Sequence, residues 1–487
     1  MNILRKTYKQ LLALLLMVIS FSALAQITNI PDPNFEQALI DLGIDSDGVV
    51  NGQVLTSDIE GVEELDVSDR GISNLTGIED FIALEEMNVR LNNLSNIDLS
   101  NNTLLKMFDC WGNNFTSLNL SNNILLETLV ARANPISTLD LSENTLLKYL
   151  NCSYCPLTSL NLTNNSELEY LEIIKTSLSN IDLSQNTNLE ILKCGVNSFS
   201  SLNLTNNINL THLSANVIHT LSGSGIDLSN NSLLEYLNID DTWLGYIDVT
   251  ANAELKILIA TFCFLSEINL SQNVNLEYLD VSGNNLTALN LDENIQLKEL
   301  YCSNYGGFYG MQISTLDLSN NVNLEIFDGE NLLDLEHINA KNGNNEILSI
   351  GVSCEIEGYP CQLPFICIMV DDEAAATNNQ YPYSNWYIAA EIIVYTENED
   401  CLISIPSHNR PIVTIYPNPT ADQIFINNPN QDNLNVRLHT ISGQLLLEKE
   451  FGYTNNFMSI ESLSSGTYFL VVENQLGEKT VKKVVKK

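Results

Sequence analysis

The chain has 487 residues, of which 60 are Asp or Glu and 21 are Lys or Arg, so its formal net charge at neutral pH is −39. A surface this acidic repels nucleic acid and anionic lipid, which excludes both as partners. With only 12 prolines and 23 glycines, the composition also excludes a collagen-like or disordered chain.

The chain begins with the pattern of a signal peptide. Basic residues within 5–9 precede an apolar run over 11–23, and Ala23-Leu24-Ala25 is a small-residue cleavage site. The apolar run is shorter than the roughly 20 residues that a helix needs to span a bilayer, and no other segment comes close. Because Gln26 rather than a cysteine follows, the sequence predicts neither a lipid anchor nor a membrane span. We expect residues 1–25 to direct export.

Residues 26–61 are predicted to cap the N-terminal end of a repeat array. The stretch PDPNFEQALIDLG, residues 31–43, indicates a short helix whose apolar side chains cover the first repeat. The following DSDGVVNGQV is similar to a calcium-binding EF-hand loop. The match fails because, with Gly48 at the sixth position, Gly43 and Val54 fall where acids are required.

A leucine recurs at nearly constant spacing through the middle of the chain. Nine of the eleven steps between these anchor leucines are 21 residues, and the other two are 24 and 27. The anchors are Leu84, Leu105, Leu126, Leu147, Leu168, Leu189, Leu210, Leu234, Leu255, Leu276, Leu297 and Leu324. Apolar residues return three, five and ten places after each anchor, and Asn commonly eight places after it. This L-x-x-L-x-L-x-x-N-x-L pattern resembles the leucine-rich repeat family over residues 62–350.

The resemblance implies a repeat solenoid, mainly β, in which each repeat contacts only its neighbours and the stack buries a continuous core. The L-x-L segment alternates inward apolar and outward variable residues, which is the periodicity of a strand. Successive copies should therefore pair as a parallel sheet that lines the concave side. A second alternating phrase, such as Ile97-Asp98-Leu99-Ser100, should run along the other side.

Asp or Asn occupies the place 14 residues after nine of the twelve anchors and the corresponding place, 15 to 20 residues on, after the other three, on the predicted outer side of the second phrase. Such side chains can hydrogen-bond the local backbone, or a column of acids can hold calcium. No glycine-rich nonapeptide accompanies the acids, which favours the structural interpretation. The Asn column from Asn102 to Asn207 is likewise predicted to be structural. The first column consists of Asp98, Asn119, Asp140, Asn161, Asp182, Asn203, Asp227, Asp248, Asn269, Asn290, Asp317 and Asn339.

The ten cysteines divide into two groups. Six lie five or eight places after an anchor, and these are Cys110, Cys152, Cys155, Cys194, Cys263 and Cys302. None of them has a partner in a neighbouring repeat. Cysteines two repeats apart, at about 4.8 Å for each repeat, have Cα atoms about 9–10 Å from each other, which is beyond the roughly 7 Å limit for a disulfide. We therefore predict buried free thiols. Cys152-Ser-Tyr-Cys155 has redox C-x-x-C spacing but opens no helix, which disfavours redox chemistry.

The other four cysteines follow the repeats and are predicted to staple a C-terminal cap at residues 351–404. They are Cys354, Cys361, Cys367 and Cys401, which allow three connectivities. We favour a Cys354–Cys361 bridge because that pair is local. We favour Cys367–Cys401 because it ties the apolar strand FICIMV to the end of the cap.

After a linker at 405–410 the composition changes, and residues 411–487 alternate short β-rich runs with Gly, Asn and Pro turns. This pattern predicts a small C-terminal antiparallel β-sandwich. Its motifs are Tyr416-Pro417-Asn418-Pro419, then Ile441-Ser442-Gly443-Gln444, then a stretch containing Gly466 and Tyr468, and finally a basic KTVKKVVKK. In this order and position they resemble the type A C-terminal sorting domain of the type IX secretion system.

That resemblance implies that residues 411–487 are an address read by the type IX secretion machinery. In the family, this domain directs passage from the periplasm across the outer membrane and is then removed. The expected location is therefore secreted or on the outer cell surface. The alternative is an ordinary immunoglobulin-like adhesion module.

The sequence offers no motif for catalysis. It lacks G-x-S-x-G, H-E-x-x-H, a phosphate-binding glycine loop and a dense histidine cluster. We therefore predict a protein that is not an enzyme, with no catalytic residues, no cofactor and no metal site.

Candidate binding residues lie two places after the anchors, on the solvent side of the concave strands. Nine of the twelve side chains there are aromatic, His or large apolar, although residues 26–410 carry a net charge of about −42. A solvent-facing row of this kind is typical of a covered surface. The alternative is cross-strand stacking that only stiffens the sheet. On this face we select Trp111, Tyr149, Tyr170, His212, Tyr236, Tyr278 and Tyr301 as ligand-binding residues.

The leading hypothesis is a secreted or cell-surface leucine-rich repeat protein that binds an unknown protein or glycan on its concave face. A structural surface or adhesion component without a discrete ligand is the alternative. A polysaccharide-processing enzyme comes third.

Overall fold

The computed structural model describes residues 26–221, 225–304, 310–353, 355–356, 359–360, 366–390, 393–397, 414–416, 420–427, 434–440, 444–451, 457–474 and 479–487. Its contacts divide the chain into two units, residues 1–243 and 244–487, and each is taken by itself. The predicted signal peptide and the linker at 405–410 lie outside the described residues.

The first unit begins with a small cap made of two strands and two short helices. Its elements are β1 (Ile27–Asn29), α1 (Pro33–Asp41), β2 (Gln53–Leu55) and α2 (Thr56–Ile59). Strands β1 and β2 pair antiparallel. Phe35 and Leu39 of α1 are fully buried, and the Phe35 ring lies 6.2 Å from that of Phe81 in the first repeats. The helix predicted within 31–43 is thus confirmed.

A parallel sheet of three-residue strands follows, with one strand in each repeat. Its strands are β3 (Glu64–Asp66), β4 (Glu86–Asn88), β5 (Met107–Asp109), β6 (Thr128–Val130), β7 (Tyr149–Asn151), β8 (Tyr170–Glu172), β9 (Ile191–Lys193), β10 (His212–Ser214) and β11 (Tyr236–Asn238). Equivalent repeat positions face each other, so Tyr149 pairs with Tyr170, and Tyr170 with Ile191. The central residue of each strand, such as Leu150 or Leu171, is fully buried. The 21-residue period therefore sets the register, and the predicted parallel sheet is confirmed.

Each strand of this sheet is followed by a turn in the left-handed backbone region, seven places after the anchor. Gly112 occupies this place in one repeat, with φ 70°. Tyr154 and Lys175 occupy it in others, with φ 61° and 54°, although only glycine adopts this region without steric cost. Both of these side chains are exposed beside the sheet.

The second unit contains the same kind of repeats, each with a short strand. Its described strands are β12 (Ile257–Ile259), β13 (Tyr278–Asp280), β14 (Glu299–Tyr301), β15 (Thr315–Asp317), β16 (Ile326–Asp328), β17 (His337–Asn339), β18 (Ser349–Val352), β19 (Glu355–Ile356), β20 (Tyr359–Pro360), β21 (Ile366–Met369), β22 (Tyr387–Ile388) and β23 (Ile393–Thr396). They are accompanied by an α-helix, α3 (Glu373–Thr377), and a 3-10 helix, Tyr383–Asn385. Strands β12, β13, β14, β16, β18 and β22 form one parallel set, and β15, β17, β21 and β23 another. Strands β19 and β20 pair antiparallel. Parallel pairing therefore runs past residue 350 into the predicted cap.

The second alternating phrase of the repeats forms a paired strand only in places. Strands β15 and β17, which contain Asp317 and Asn339 of the Asp/Asn column, pair in parallel. In the described residues of the first unit, the phrase forms no strand and carries only a single bridge, between Leu202 and Ile226.

The C-terminal residues form two small antiparallel sheets. One contains β24 (Thr414–Tyr416), β25 (Gln423–Asn427) and β28 (Phe457–Ser459), and the other β26 (Leu434–Thr440), β27 (Leu445–Phe451), β29 (Gly466–Asn474) and β30 (Lys479–Lys486). One buried cluster joins Ile424 and Met458 of the first sheet to Val436 and Leu470 of the second. This shared core confirms the predicted sandwich.

Candidate functional site

The exposed side of the parallel strands in the first unit, here called the strand face, presents the side chains two, four and six places after each anchor. This is the face predicted to be concave. It carries the first-unit candidates Trp111, Tyr149, Tyr170, His212 and Tyr236, all partly or fully exposed. The sheet register places Tyr149, Tyr170, His212 and Tyr236 in one column.

Tyr149 and Tyr170 stack face to face on adjacent strands. Their ring centroids are 4.2 Å apart and their planes differ by 9°. The ammonium nitrogen of Lys193, on β9, lies 5.4 Å from the centre of the Tyr170 ring. Because β7 and β9 flank β8, Tyr149 and Lys193 approach the Tyr170 ring from opposite sides. Little of that ring face is left for a ligand.

A buried carboxylate lies beneath this stack. Glu172 is only 7% exposed, and its oxygens accept hydrogen bonds from the Tyr170 hydroxyl at 2.6 Å and the Ser153 hydroxyl at 3.2 Å. The Arg132 guanidinium donates to it at 3.4 Å. Burial, together with this hydrogen bond to Glu172, raises the pKa of Tyr170, so its hydroxyl stays protonated and donates at neutral pH.

A second aromatic ring holds two cations beside the stack. The Arg132 guanidinium carbon lies 4.8 Å from the centre of the Tyr154 ring, and the Lys175 ammonium lies 5.5 Å from it. Contacts of this kind between a cation and an aromatic face are attractive. Together these residues form what we call the aromatic–cation cluster, namely Arg132, Tyr149, Tyr154, Tyr170, Glu172, Lys175 and Lys193.

The other candidate binding residues form smaller contacts. His212 and Tyr236 stack with ring centroids 5.7 Å apart. In the second unit, the rings of Tyr278 and Tyr301 are 5.4 Å apart and tilted by 35°. The Tyr301 hydroxyl donates to Glu299 at 3.0 Å, and burial together with this contact raises its pKa to about 12. Trp111 is half-buried on the strand face.

Sequence reasoning selected Tyr149 and Tyr170 but missed the charged half of the cluster. It followed the column two places after the anchors, whereas Arg132, Lys175 and Lys193 lie six, seven and four places after theirs. A signal was present in the basic residues themselves. Residues 26–410 contain only 11 Lys or Arg, and several of these lie one place after an anchor, where an acid usually stands in the neighbouring repeat.

Those position-one lysines form a ladder of surface ion pairs. Lys106 pairs with Glu85 at 2.5 Å, and Lys148 with Glu127 at 2.7 Å. In the second unit, Lys298 makes the equivalent pair with Glu277 at 2.6 Å. Their charges are therefore matched by a carboxylate in the preceding repeat.

The six repeat cysteines are free and buried, as predicted, and they are Cys110, Cys152, Cys155, Cys194, Cys263 and Cys302. Burial raises the pKa of Cys194 to about 12 and also raises the pKa of Cys152 and Cys155. The Cys155 thiol donates to the Ala131 carbonyl at 3.2 Å. Protonated, enclosed thiols of this kind are poor nucleophiles.

The predicted cap disulfides fall mostly outside the described residues. Cys367 is disulfide-bonded, in agreement with the prediction that it is bridged. Cys354, Cys361 and Cys401 lie outside the described residues, so the pairings Cys354–Cys361 and Cys367–Cys401 stay predictions.

The Asp/Asn column forms local hydrogen bonds. Asp98 accepts from the backbone N–H of Ser100 at 3.0 Å, and Asn161 accepts from both the backbone and the hydroxyl of Thr163. The side-chain and backbone hydrogen bonds from Ser100 lower the pKa of Asp98. Within the described residues, no group of three or more His, Cys, Asp or Glu side chains suits a metal ion. These contacts agree with the structural interpretation of the column.

The described parts of the sorting motif lie in the C-terminal sandwich. Tyr416 ends β24 and pairs with Phe425, whereas Pro417, Asn418 and Pro419 lie outside the described residues. Gly466 begins β29, and the buried Tyr468 donates its hydroxyl to the Ser464 carbonyl at 2.7 Å.

The basic C-terminal run contains a buried lysine. The Lys486 ammonium donates to the carbonyls of Ile460, Glu461 and Leu463 at 2.7, 2.9 and 2.5 Å. The end of the chain is thereby tied to the loop that follows β28.

Comparison with known proteins agrees with both parts of this architecture. The family described as "Secretion system C-terminal sorting domain" matches residues 414–487. The functional domain of InlJ from Listeria monocytogenes, described as including a cysteine ladder, is 20% identical. That alignment covers 95% of this chain and 99% of that chain, with a TM-score of 0.61. No curated protein is similar enough in sequence to count as a match.

Two further solved structures align less closely. The internalin InlF from Listeria monocytogenes is 18% identical, with 70% of this chain and 96% of that chain covered and a TM-score of 0.48. A leucine-rich repeat protein from Leptospira interrogans is 16% identical, with 69% and 97% covered and a TM-score of 0.46.

The chain therefore has the fold of a leucine-rich repeat protein, and its residues 414–487 match the C-terminal sorting domain of the type IX secretion system. The sorting domain indicates export to a secreted or cell-surface location. Among the described residues, no helix is both long and apolar enough to cross a membrane.

Proposed function

We propose that this protein is a secreted or cell-surface binding protein that holds a protein or glycan ligand on its strand face. The observation that most supports this proposal is the aromatic–cation cluster, which places three tyrosines and three cations next to one another on a protein whose net charge is −39. Tyrosine and arginine are enriched among the residues that dominate binding energy at interfaces. Export through the periplasm and the type IX machinery, by means of residues 411–487, completes the proposal.

A structural role is the second candidate, and the Tyr149–Tyr170 stack favours it. A face-to-face contact at 4.2 Å joins adjacent repeats and stiffens the sheet whether or not a ligand is present. The two functions differ in what the loss of the rings should change.

The deciding experiment is a pull-down with a triple variant, Tyr149→Ser, Tyr170→Ser and Tyr236→Ser, run beside the wild-type protein and followed by thermal denaturation. Under the binding proposal, recovery of the ligand falls by at least about tenfold, because the variant removes the Tyr170 ring that holds Lys193 together with the exposed side of Tyr236, and a dominant interface residue contributes more than about 1 kcal/mol. Under the structural alternative, partner recovery is unchanged and the melting temperature drops.

The matched control is Tyr246→Ser. Tyr246 is 51% exposed and lies twelve places after its anchor, which is not one of the repeat positions that define the strand face. It should change neither readout. Equal recovery of every partner by the triple variant and the wild type would remove the strand face from consideration.

A further inference from the structure

Building on the proposed function, we infer that the aromatic–cation cluster recognises an acidic protein segment. Arg132, Lys175 and Lys193 bind side-chain carboxylates that are spaced along an extended peptide. The occupant is thus a peptide rich in Asp or Glu, presented by a partner protein.

The first argument is charge. The ladder lysines, such as Lys106 and Lys148, each face a glutamate of the preceding repeat. The cluster contains three cations and one buried carboxylate, Glu172, which pairs with Arg132 at 3.4 Å and accepts its other hydrogen bonds from neutral hydroxyls. The cluster therefore carries a local excess of positive charge on an acidic protein, and complementary charge fixes where an anionic segment docks.

The second argument is the orientation of the rings. Sugars stack on open aromatic faces, but the Tyr154 ring has Arg132 and Lys175 over it, and the Tyr170 ring lies between Tyr149 and Lys193. The rings thus position the cations, and the cations are what a ligand meets. Such a surface favours carboxylates over the apolar face of a sugar ring.

The third argument is spacing. Arg132 follows β6, Lys175 follows β8 and Lys193 lies on β9, so the set spans three strand steps, about 14 Å at 4.8 Å each. An extended peptide rises about 3.3 Å per residue, so acids at alternate positions lie about 7 Å apart on one side. Three such acids cover about 13 Å, which matches the span of the cations.

The test uses the purified full chain and the synthetic peptide acetyl-Glu-Gly-Glu-Gly-Glu-amide, with binding measured by calorimetry at about 0.15 M salt, where charges beyond about 8 Å are screened. The Gln-for-Glu peptide is the neutral probe, and oligogalacturonate is the acidic sugar probe. We expect the wild type to bind the Glu peptide at least about tenfold more tightly than either of the others.

The variant to compare is Arg132→Gln with Lys175→Gln and Lys193→Gln, which should weaken binding of the Glu peptide by at least about tenfold. The matched control is Lys106→Gln with Lys148→Gln and Lys298→Gln, which removes the same charge from the ladder and should change affinity by less than about twofold. If Arg132→Gln impairs folding through Glu172, the double variant Lys175→Gln with Lys193→Gln serves instead.

Several results would overturn the inference. These are no binding of the Glu peptide to the wild type, equal binding of the Gln peptide, or equal losses in the cluster and ladder variants. Tighter binding of oligogalacturonate through the same cations would show that the preferred ligand is not an acidic peptide, but it would not contradict the proposed function. The proposed function fails separately, when the tyrosine variant recovers every partner as the wild type does.

Discussion

At the scale of single residues, the repeats are joined by buried asparagines. In the first unit, the side-chain N–H groups of each donate to two backbone carbonyls of the preceding turn, because an amide nitrogen carries two donors. Asn165 donates to Leu141 at 3.1 Å and to Asn144 at 2.8 Å, and it is fully buried. The column in this unit consists of Asn102, Asn123, Asn144, Asn165, Asn186, Asn207 and Asn231.

Replacing one of these asparagines should cost far more than replacing its neighbour. Asn165→Ala leaves two buried carbonyls without their donor, which we expect to destabilise the protein by about 3 kcal/mol. The control is Asn164→Ala, because Asn164 is exposed and makes one hydrogen bond, to Ser142 at 3.0 Å. That change should cost about 0.5 kcal/mol. Urea denaturation of both variants measures the difference, and equal costs would show that the buried amide adds nothing to the stack.

At the scale of elements, one carboxylate joins the capping helix to the first repeat. One oxygen of Asp32 accepts from the backbone of Asn34 and Phe35 at the start of α1, and the other accepts from Ser73 and from the backbone of Asn74. Burial by itself raises the pKa of Asp32, but these hydrogen bonds, led by those from Ser73, outweigh it and lower the pKa. The cap and the repeats are therefore coupled through an ionised side chain.

Loss of the Asp32 carboxylate should lower the free energy of unfolding more at neutral pH than in acid. Asp32→Ala should destabilise the protein by about 2 kcal/mol at pH 7, since it removes an N-cap. Because the folded pKa is below the unfolded value of about 3.9, the stabilisation is present above that pH and is lost as pH falls through the folded pKa. Urea denaturation followed by circular dichroism at pH 7 and pH 3 should show the cost of the variant shrinking in acid.

Asp41 supplies the matched control for the capping carboxylate. It lies at the end of the same helix and pairs with Arg70 at 2.6 Å, but its side chain is 42% exposed. Asp41→Ala should therefore cost less stability than Asp32→Ala at pH 7. A cost that is the same for Asp32→Ala at both pH values would contradict the role of its charge.

The sequence predicts these elements well because the regular spacing of the anchor leucines identifies equivalent positions in every repeat. A leucine every 21 residues fixes which side chains point inward, so strands β4 to β11, the free thiol of Cys110 and the shared face of Tyr149 and Tyr170 follow from alternation alone. The contacts of Arg132 with Tyr154 do not follow from it. They join residues at different repeat positions, and the turn that exposes Tyr154 carries no shared residue type that a repeat pattern could reveal.

At the scale of the whole molecule, the chain combines a repeat array with a terminal address. The C-terminal sandwich has its own buried core, and its last strand, β30, pairs along its length with β29. Lys486 fixes the end of that strand through three carbonyls. A module with its own core and its own sheets fits the expectation that it works when attached to another protein.

Export should therefore follow residues 411–487 when they are moved to another cargo. An inert protein that carries a signal peptide and this segment, produced in a host with a type IX system, should appear outside the outer membrane. The same cargo without the segment is the control, and it should stay in the periplasm. Fractionation and immunoblotting of the cells and medium measure both. Because the segment is the only difference between the two cargoes, retention of both in the periplasm of a host that still exports its own type IX substrates would show that residues 411–487 do not suffice as an address.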